Sequence, residues 1–352
     1  MNEGAHTAEA VLARAQAFPQ LRYMGSKYQL LPYLERLFAT VGGETAIDAF
    51  SGSGVVSYLL KAQGFSVTSN DFLAFPGMIS RATVANSSVK LTRADVDRIC
   101  GPAADDRDFV QSKFDGLYFT AEDRAFLDSA WSHIDSLTGF KRDIAISALV
   151  LSAARRQPRG VFTFTDSTRY ADGRRDLRMS LREHFRRAAA ECNATVFSNG
   201  RTSRTMTGDV FELKTTSADV VYLDPPYAPP RDDADYIKRY HFLEGLSVYW
   251  RDVTIMEETK TKKLEKRFTP FAYKGLIEDA LLRTFEHFEE SRTVVLSYSS
   301  NALPDADRIV DLFGKVKSHV RKVAVPHRYS FGTHSGATRR DVTEYLFIGT
   351  ND

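Results

Sequence analysis

The sequence predicts an α/β fold in which a mixed sheet with a Rossmann-like, cofactor-binding half is interrupted by an inserted, mostly helical region. Three observations predict it. Glu44 to Asp71 reads as strand, glycine turn, helix and strand. A charged, helix-textured stretch then runs from Asn86 to Arg204, and short apolar strand signals return only after it. A helix that joins two strands in this way requires them to run parallel, because only a crossover connection brings the chain back in the same direction. The sheet-bearing part is therefore expected at residues 1–85 and 205–352, with 86–204 as the insertion.

Taken in order, Ala46, Ile47, Ala49 and Phe50 form a short buried strand that Gly52 and Gly54 break. Val55 to Ala62 is helical, Gly64 ends that helix, and Phe65 to Ser69 is a second strand closing on Asn70-Asp71. Helical texture follows in AEDRAFLDSAWSHIDSL and KRDIAISALVLSAARR, separated from the next helical segment by the loop-like RQPRGVFTFTDSTRYADGRRD. Strand signals resume at Asp219 to Tyr227, Ser291 to Ser300, the basic segment Lys315 to Val325, and Val342 to Gly349.

Composition narrows the function classes. The 352 residues are 43% hydrophobic and 26% charged, enough apolar material for a sizeable core. Net charge is only +2, so binding of nucleic acid through overall charge is excluded and any basic surface must be local. Cys100 and Cys192 lie far apart without metal-ligand spacing, so no metal site and no disulfide framework is expected, and a reducing cytoplasmic location fits. No signal-peptide-like core and no apolar run long enough to span a bilayer occurs, so no membrane association is expected.

Two strings carry the chemistry. In AFSGSG, Ala49 to Gly54, small residues between a strand and a helix let a ligand approach the backbone, although such a string by itself equally serves to turn the chain. Asp71, at the end of the second strand, is placed to accept hydrogen bonds from ribose hydroxyls; its other use is to cap the following helix. The decisive string is DPPY, Asp224 to Tyr227, directly after the apolar strand Val220 to Leu223. Pro225 and Pro226 remove two backbone donors and stiffen the chain, leaving the Asp224 carboxylate and backbone carbonyls as an array of acceptors. Such an array suits a planar amine, for example the exocyclic amino group of adenine, whose lone pair is delocalised into the ring. Acceptors on both its hydrogens, Asp224 and the Pro225 carbonyl, favour a pyramidal nitrogen able to attack. Tyr227 offers a flat face for a base extruded from a duplex.

RYMGSK (Arg22 to Lys27), DAFSGSG (Asp48 to Gly54), Asn70-Asp71, GDVF (Gly208 to Phe211) and DPPY, in that order, resemble the Dam-like DNA adenine-N6 methyltransferases. The resemblance implies a Rossmann-like S-adenosylmethionine-dependent methyltransferase fold with the target-recognition region in the helical insertion. It also implies S-adenosyl-L-methionine as cofactor and double-stranded DNA as partner. Residue by residue, Tyr23 and Lys27 would line the methionine side of the cofactor pocket, Phe50, Gly52 and Gly54 would form its floor, Asp71 would bind the ribose, and Gly25 and Asp48 would also be cofactor-binding. Asp209 and Val210 would sit near the cofactor's adenine, and Asp224, Pro225, Pro226 and Tyr227 would hold the target base, with Asp224 also bordering the cofactor. Two departures are visible: Tyr23 and Ser26 stand where several members have tryptophan and glycine, and GDVF replaces the commoner GDF. A restriction-modification role with a companion endonuclease acting separately, a phage enzyme and an orphan enzyme all remain open, as does the choice of monomer or dimer.

The stretch Leu151 to Arg204 holds twelve arginines and five acidic residues, an excess of seven positive charges in a nearly neutral chain. Arg155, Arg156, Arg159, Arg169, Arg174 and Arg175 cluster around its loop-like part and are candidates for contacting DNA, whereas Arg182, Arg186 and Arg187 have the spacing of a salt-bridged helix surface. After DPPY, Tyr236, Tyr240, His241 and Phe242 form an aromatic run that either closes over a base or packs into the core, and Ala228 to Asp235 reads as a lid. Rival readings are an enzyme for another planar amine, a nicotinamide-dependent oxidoreductase and a DNA-binding module without catalysis. The third glycine of a dinucleotide fingerprint is absent, and neither cysteine stands in a Pro-Cys context, which disfavours the oxidoreductase and a cytosine-carbon methyltransferase respectively.

Overall fold

The apolar run Val220–Leu223 is buried at all four positions, as a strand covered on both faces must be, and it lies at the centre of a seven-stranded sheet. The protein is described by a computed structural model that covers residues 7–158, 160–163, 165, 173–227, 236–329 and 340–351. Its strands are β1 (Thr45–Asp48), β2 (Ser66–Asp71), β3 (Arg204–Thr207), β4 (Val220–Leu223), β5 (Thr293–Ser299), β6 (His319–Tyr329) and β7 (Arg340–Thr350). Their order across the sheet is β3-β2-β1-β4-β5-β7-β6. Pairing is parallel from β3 through β5 and antiparallel for β5 with β7 and β7 with β6. Asp48 lies opposite Ser69 on one side and Tyr222 on the other. From β1 the chain moves outward to β2 and β3, and from β4 it moves the opposite way, so the β1/β4 junction is the switch point at which open α/β sheets bind ligands.

Side chains alternate across the sheet. Val220 and Tyr222 enter one apolar core, and Val221 and Leu223 enter another on the opposite face. The first core does not stop at the sheet. It runs without a break from Ala46 and Val220 into the helices Ala121–Ile134, Gly139–Arg156 and Leu181–Thr195 of the expected insertion. Trp131 is fully buried there and donates from its indole nitrogen to the Leu246 carbonyl at 3.0 Å, in the helix Tyr236–Val248 that follows DPPY. Tyr58, from the helix after the glycine turn, likewise donates to the Thr195 carbonyl at 2.9 Å. The helical region therefore shares its core with the sheet.

The helix Val55–Ala62 and the strands β1, β4, β5 and β7 occur where expected, and β2 runs on to Asp71. The expected basic strand is β6, which starts only at His319 because Lys317 turns inward to the carbonyls of Glu289 and Ser291. Strand β3 was not anticipated. Its sequence RTMT is polar and largely exposed at the sheet edge, so no apolar alternation marks it. Among the described residues no helix is long and apolar enough to cross a membrane.

A shared core predicts one cooperative unfolding transition for both regions. Trp131→Ala should lower the unfolding free energy by about 3–5 kcal/mol, with a single urea transition retained. Two separate transitions in the parent protein would show independent cores.

Candidate active site

A cavity of about 1090 Å³, its open mouth included, lies at the carboxyl ends of β1, β2 and β4. The N-terminal loop Tyr23–Lys27, the turn after β1, Asn70 to Leu73, Gly208 to Val210 and the residues after β4 all line it. The sequence builds this convergence locally. Gly52 (φ +50°) and Gly54 (φ +84°) adopt left-handed conformations, and a Cβ on Gly52 would stand 3.1 Å from the Tyr23 ring. Asn70 donates to the carbonyls of Ala49 (3.2 Å) and Gly208 (3.1 Å), stitching three of the lining segments together.

At the inner end Lys27, only 4% exposed, sits between two carboxylates, 2.8 Å from Asp224 Oδ1 and 3.3 Å from Glu344 Oε1. It also donates to the Tyr227 hydroxyl at 2.8 Å and the Gly25 carbonyl at 3.0 Å. The Tyr227 oxygen is 3.0 Å from Asp224 Oδ1 and 2.6 Å from Glu344 Oε1, and its one hydrogen serves one of them at a time. Ser297 of β5 donates to the same Glu344 oxygen at 2.7 Å. Both contacts to Asp224 thus fall on Oδ1, and Oδ2 carries none among the described residues. Burial pushes the Asp224 carboxyl up to about 6; Lys27 opposes the shift and Glu344 adds to it. Burial would also raise Glu344, but Lys27 and the Tyr227 and Ser297 hydroxyls hold it below its ordinary value.

The remaining expected residues divide by what they touch. Tyr23 stacks on Tyr240 (4.9 Å, 12°), whose hydroxyl accepts from the Met24 N–H at 2.7 Å. Asp48 is fully buried, accepts from Ser57 at 2.6 Å through Oδ2, and leaves Oδ1 without a partner among the described residues. Burial pushes Asp48 up to about 7 against the Ser57 bond. Asp71 accepts backbone N–H bonds from Gly52 (2.8 Å) and Leu73 (3.0 Å), one on each oxygen, so it organises the glycine turn and caps the following segment. Burial pushes it up to about 6 against those bonds. Asp209 caps the short turn Val210–Glu212 through the Phe211 N–H at 3.1 Å, Val210 is buried, and both line the cavity. Phe50 packs edge-on against Phe271 at 5.2 Å. Of DPPY, Asp224, Pro226 and Tyr227 line the cavity, while Pro225 is buried outside the lining.

These residues suit S-adenosylmethionine. The orphaned Asp48 oxygen is an acceptor for an ammonium group, the glycine turn admits a ligand close to the backbone, and Phe50, Val210 and Phe271 supply apolar walls for a flat ring. Glu344 was missed by sequence reasoning. Its signal is a charged residue on the same side of β7 as the buried Leu346 and Ile348.

Three of the four described arginines of the cluster are held by internal partners. Arg155 pairs with Glu191 at 2.5 Å, Arg156 with Asp123 at 3.2 Å, and Arg174 donates to the Pro158 carbonyl at 2.9 Å. Arg175 is exposed, and Arg159 and Arg169 lie outside the described residues, as does the expected lid Ala228 to Asp235. Arg186 pairs with Asp97 at 2.6 Å, the salt-bridged alternative for its helix. Tyr240, His241 and Phe242 are core residues, whereas Tyr236 lines the cavity.

Comparison with known proteins agrees with this geometry. The profile of the D12 class N6 adenine-specific DNA methyltransferase family matches residues 23–271. Among curated relatives, the type II methyltransferase M2.HphI of Haemophilus parahaemolyticus is 25% identical over 95% of this chain and 98% of its own length. The type II methyltransferase M.FokI of Planomicrobium okeanokoites is 23% identical over 94% of this chain and 53% of its own. The modification methylase StsI of Streptococcus sanguinis is 23% identical over 93% of this chain and 51% of its own. The chain thus spans nearly the whole of the first relative and about half of the other two. A family match over most of the chain, on a sheet whose switch point carries DPPY beside a glycine turn, makes this protein a member of the D12 class of N6 adenine-specific DNA methyltransferases, with S-adenosylmethionine as its cofactor.

Proposed function

We propose that the cavity is where the methyl donor and an everted adenine meet, and that Asp224 is the group that receives the adenine amine. The observation that carries this is the asymmetry of Asp224: Oδ1 is engaged by Lys27 and Tyr227, while Oδ2 has no partner among the described residues of a carboxylate that lines the cavity. When bound, S-adenosylmethionine supplies an electrophilic methyl group on sulfur. Asp224 Oδ2 accepts one amine hydrogen. The second is assigned to the Pro225 carbonyl, whose amide joins it directly to the cavity-lining Pro226. Two acceptors localise the nitrogen lone pair, and the prolines hold them in place before the base arrives. The nitrogen that takes the methyl group would give its surplus proton to Asp224, whose raised proton affinity suits the transfer, while the electron pair of the broken methyl–sulfur bond would stay on sulfur.

Lys27 and Glu344 act on this geometry indirectly. Lys27 fixes Oδ1 and the Tyr227 hydroxyl; Glu344 fixes the other side of Lys27 and Tyr227, so that the far end of the tyrosine ring is held in place. Tyr23, Gly25, Lys27, Asp48, Phe50, Gly52, Gly54, Asp71, Asp209, Val210 and the edge of Asp224 form the cofactor side. Asp71 contributes by holding the Gly52 turn as well as by offering its remaining lone pairs to the ribose. The exposed Arg175, with Arg159 and Arg169, is the part of the arginine cluster assigned to DNA; Arg155 and Arg156 tie their helix to Glu191 and Asp123, and Arg174 holds the Pro158 carbonyl. Residues 86–204 are assigned to target recognition. By analogy with relatives named as type II and modification methylases, the enzyme is the modification half of a restriction-modification system.

Asp224→Ala should abolish transfer of labelled methyl groups into mixed-sequence duplex DNA, a loss of at least about 100-fold, while cofactor affinity by calorimetry stays within about threefold. Turnover at the parent rate refutes the assignment. Asp71→Ala should show the reverse emphasis, with cofactor affinity reduced at least about tenfold, and unchanged affinity counts against the cofactor role.

Methyl transfer should fall as pH drops through about 6, because Asp224 must be a carboxylate to accept a hydrogen, and Asp71 titrates in the same range. In Glu344→Gln the charge that helps to raise Asp224 is gone, so the acid limb should move to lower pH. The single-turnover rate at its plateau should fall by up to about 100-fold through misplacement of Lys27 and Tyr227. Measured with cofactor saturating at every pH, so that Asp71 does not set the limb, an acid limb that stays in place or moves upward contradicts the assignment.

A further inference from the structure

Among the described residues six large apolar side chains remain exposed, and three of them, Phe268, Tyr273 and Leu276, fall in one short stretch of chain. Phe268 is the most open, at 63%. Its ring stacks on Tyr273 (5.6 Å, 23°), and the Lys266 ammonium lies 4.9 Å over the same Tyr273 ring. Residues 259–276 carry six basic side chains and one acidic one, in a protein whose net charge is only +2. The first part of this stretch closes a small hairpin, with Ile255 bridged to Leu264 and Met256 donating to the Lys263 carbonyl at 2.9 Å. The next part reaches the active site: Lys266, Arg267 and Thr269 line the cavity that holds Asp224, and Arg267 is fastened to Phe72 by its carbonyl (3.2 Å) and ring (4.1 Å).

An exposed aromatic pair costs stability in water and is not explained by packing, so it points to a partner with flat apolar faces. The surrounding cations require that partner to be polyanionic, and nucleic acid has both properties. Among the described arginines that the sequence marks for DNA, Arg155, Arg156 and Arg174 have internal partners, whereas the exposed Phe268 lies in the chain between the cavity-lining Arg267 and Thr269. Resting on the reading of the cavity as a DNA adenine methylation site, we propose that residues 259–276 form a docking lip for duplex DNA opened at the target base. Phe268 and Tyr273 take up base faces uncovered when the adenine leaves the stack, and Lys274 with its basic neighbours holds the adjoining phosphates. The lip then belongs to the DNA side of the enzyme, although it follows DPPY in the chain and lies outside the helical region.

Phe268→Ala and Lys274→Glu test this, since neither residue lines the cavity and both are exposed. Binding of labelled mixed-sequence duplex DNA is measured by anisotropy over a range of salt concentrations, alongside methyl incorporation and cofactor affinity. Phe268→Ala should weaken DNA binding by about five- to a hundredfold. Lys274→Glu should reduce the slope of log K against log salt by about 1. Cofactor affinity should not change. If both variants bind and methylate DNA like the parent, the lip is not a DNA surface, and the reading of Asp224 stands. Loss of cofactor affinity in step with DNA binding also overturns the proposal, because the segment then serves the cofactor pocket. If the parent protein itself places no methyl group in DNA, the underlying reading fails and the lip proposal with it.

Discussion

The interaction on which the rest depends is the burial of one lysine between two carboxylates. Lys27 comes from the N-terminal loop, Asp224 from the end of β4 and Glu344 from β7, and the ammonium reaches both acids and the Tyr227 hydroxyl. Removing an ammonium from water costs several kcal/mol unless paired and hydrogen-bonded, and the same holds for each acid. Lys27 and Glu344 are therefore buried as a pair, and Asp224 shares the same ammonium. That mutual requirement draws together segments more than three hundred residues apart in the chain and sets the position of DPPY.

The fold supplies what this cluster needs. A parallel sheet reversing direction between β1 and β4 leaves a crevice at the strand ends, and the glycine turn after β1 keeps that crevice open to a ligand. The loop bearing Lys27 is anchored on both sides. Met24 donates to Tyr240, in the helix after DPPY, and Arg22 grips the carbonyls of Arg155 (3.1 Å) and Gln157 (2.6 Å) and the Asp176 carboxylate (2.8 Å). A Cβ on Gly160 would meet Arg22 at 2.5 Å, so this approach is close on the backbone as well. The residue next to the cavity-lining Tyr23 is thus bonded directly to the helical region. The cavity-lining loop and the helical region therefore share a mechanical link.

Much of this was legible because it is local. The glycine turn, the apolar strand before DPPY and the helix after Gly54 are each written in a few consecutive residues, and a strand, turn or helix signal of that length survives into the structure. Features that depend on pairing between distant segments were not legible. The arginine count in 151–204 is correct, but the partners Glu191 and Asp123 lie on other turns and helices, and counting cannot reveal that the charges are spent internally. Glu344 carries a faint mark, an acid in the buried parity of β7, but its meaning requires the antiparallel register that sets it opposite Ser299 and within reach of Ser297. Asp71 shows the intermediate case. Its place at the end of β2 is written in the sequence, and its two backbone hydrogen bonds make it a scaffold for the glycine turn.

The account is tested most directly by a structure of the protein with duplex DNA and an unreactive analogue of its cofactor. It predicts an adenine outside the helix whose amino nitrogen lies within hydrogen-bond distance of Asp224 Oδ2, with Lys27 still bridging Asp224 and Glu344. An adenine that remains stacked in the duplex, or an amino group bonded elsewhere while Lys27 has left its carboxylates, contradicts it.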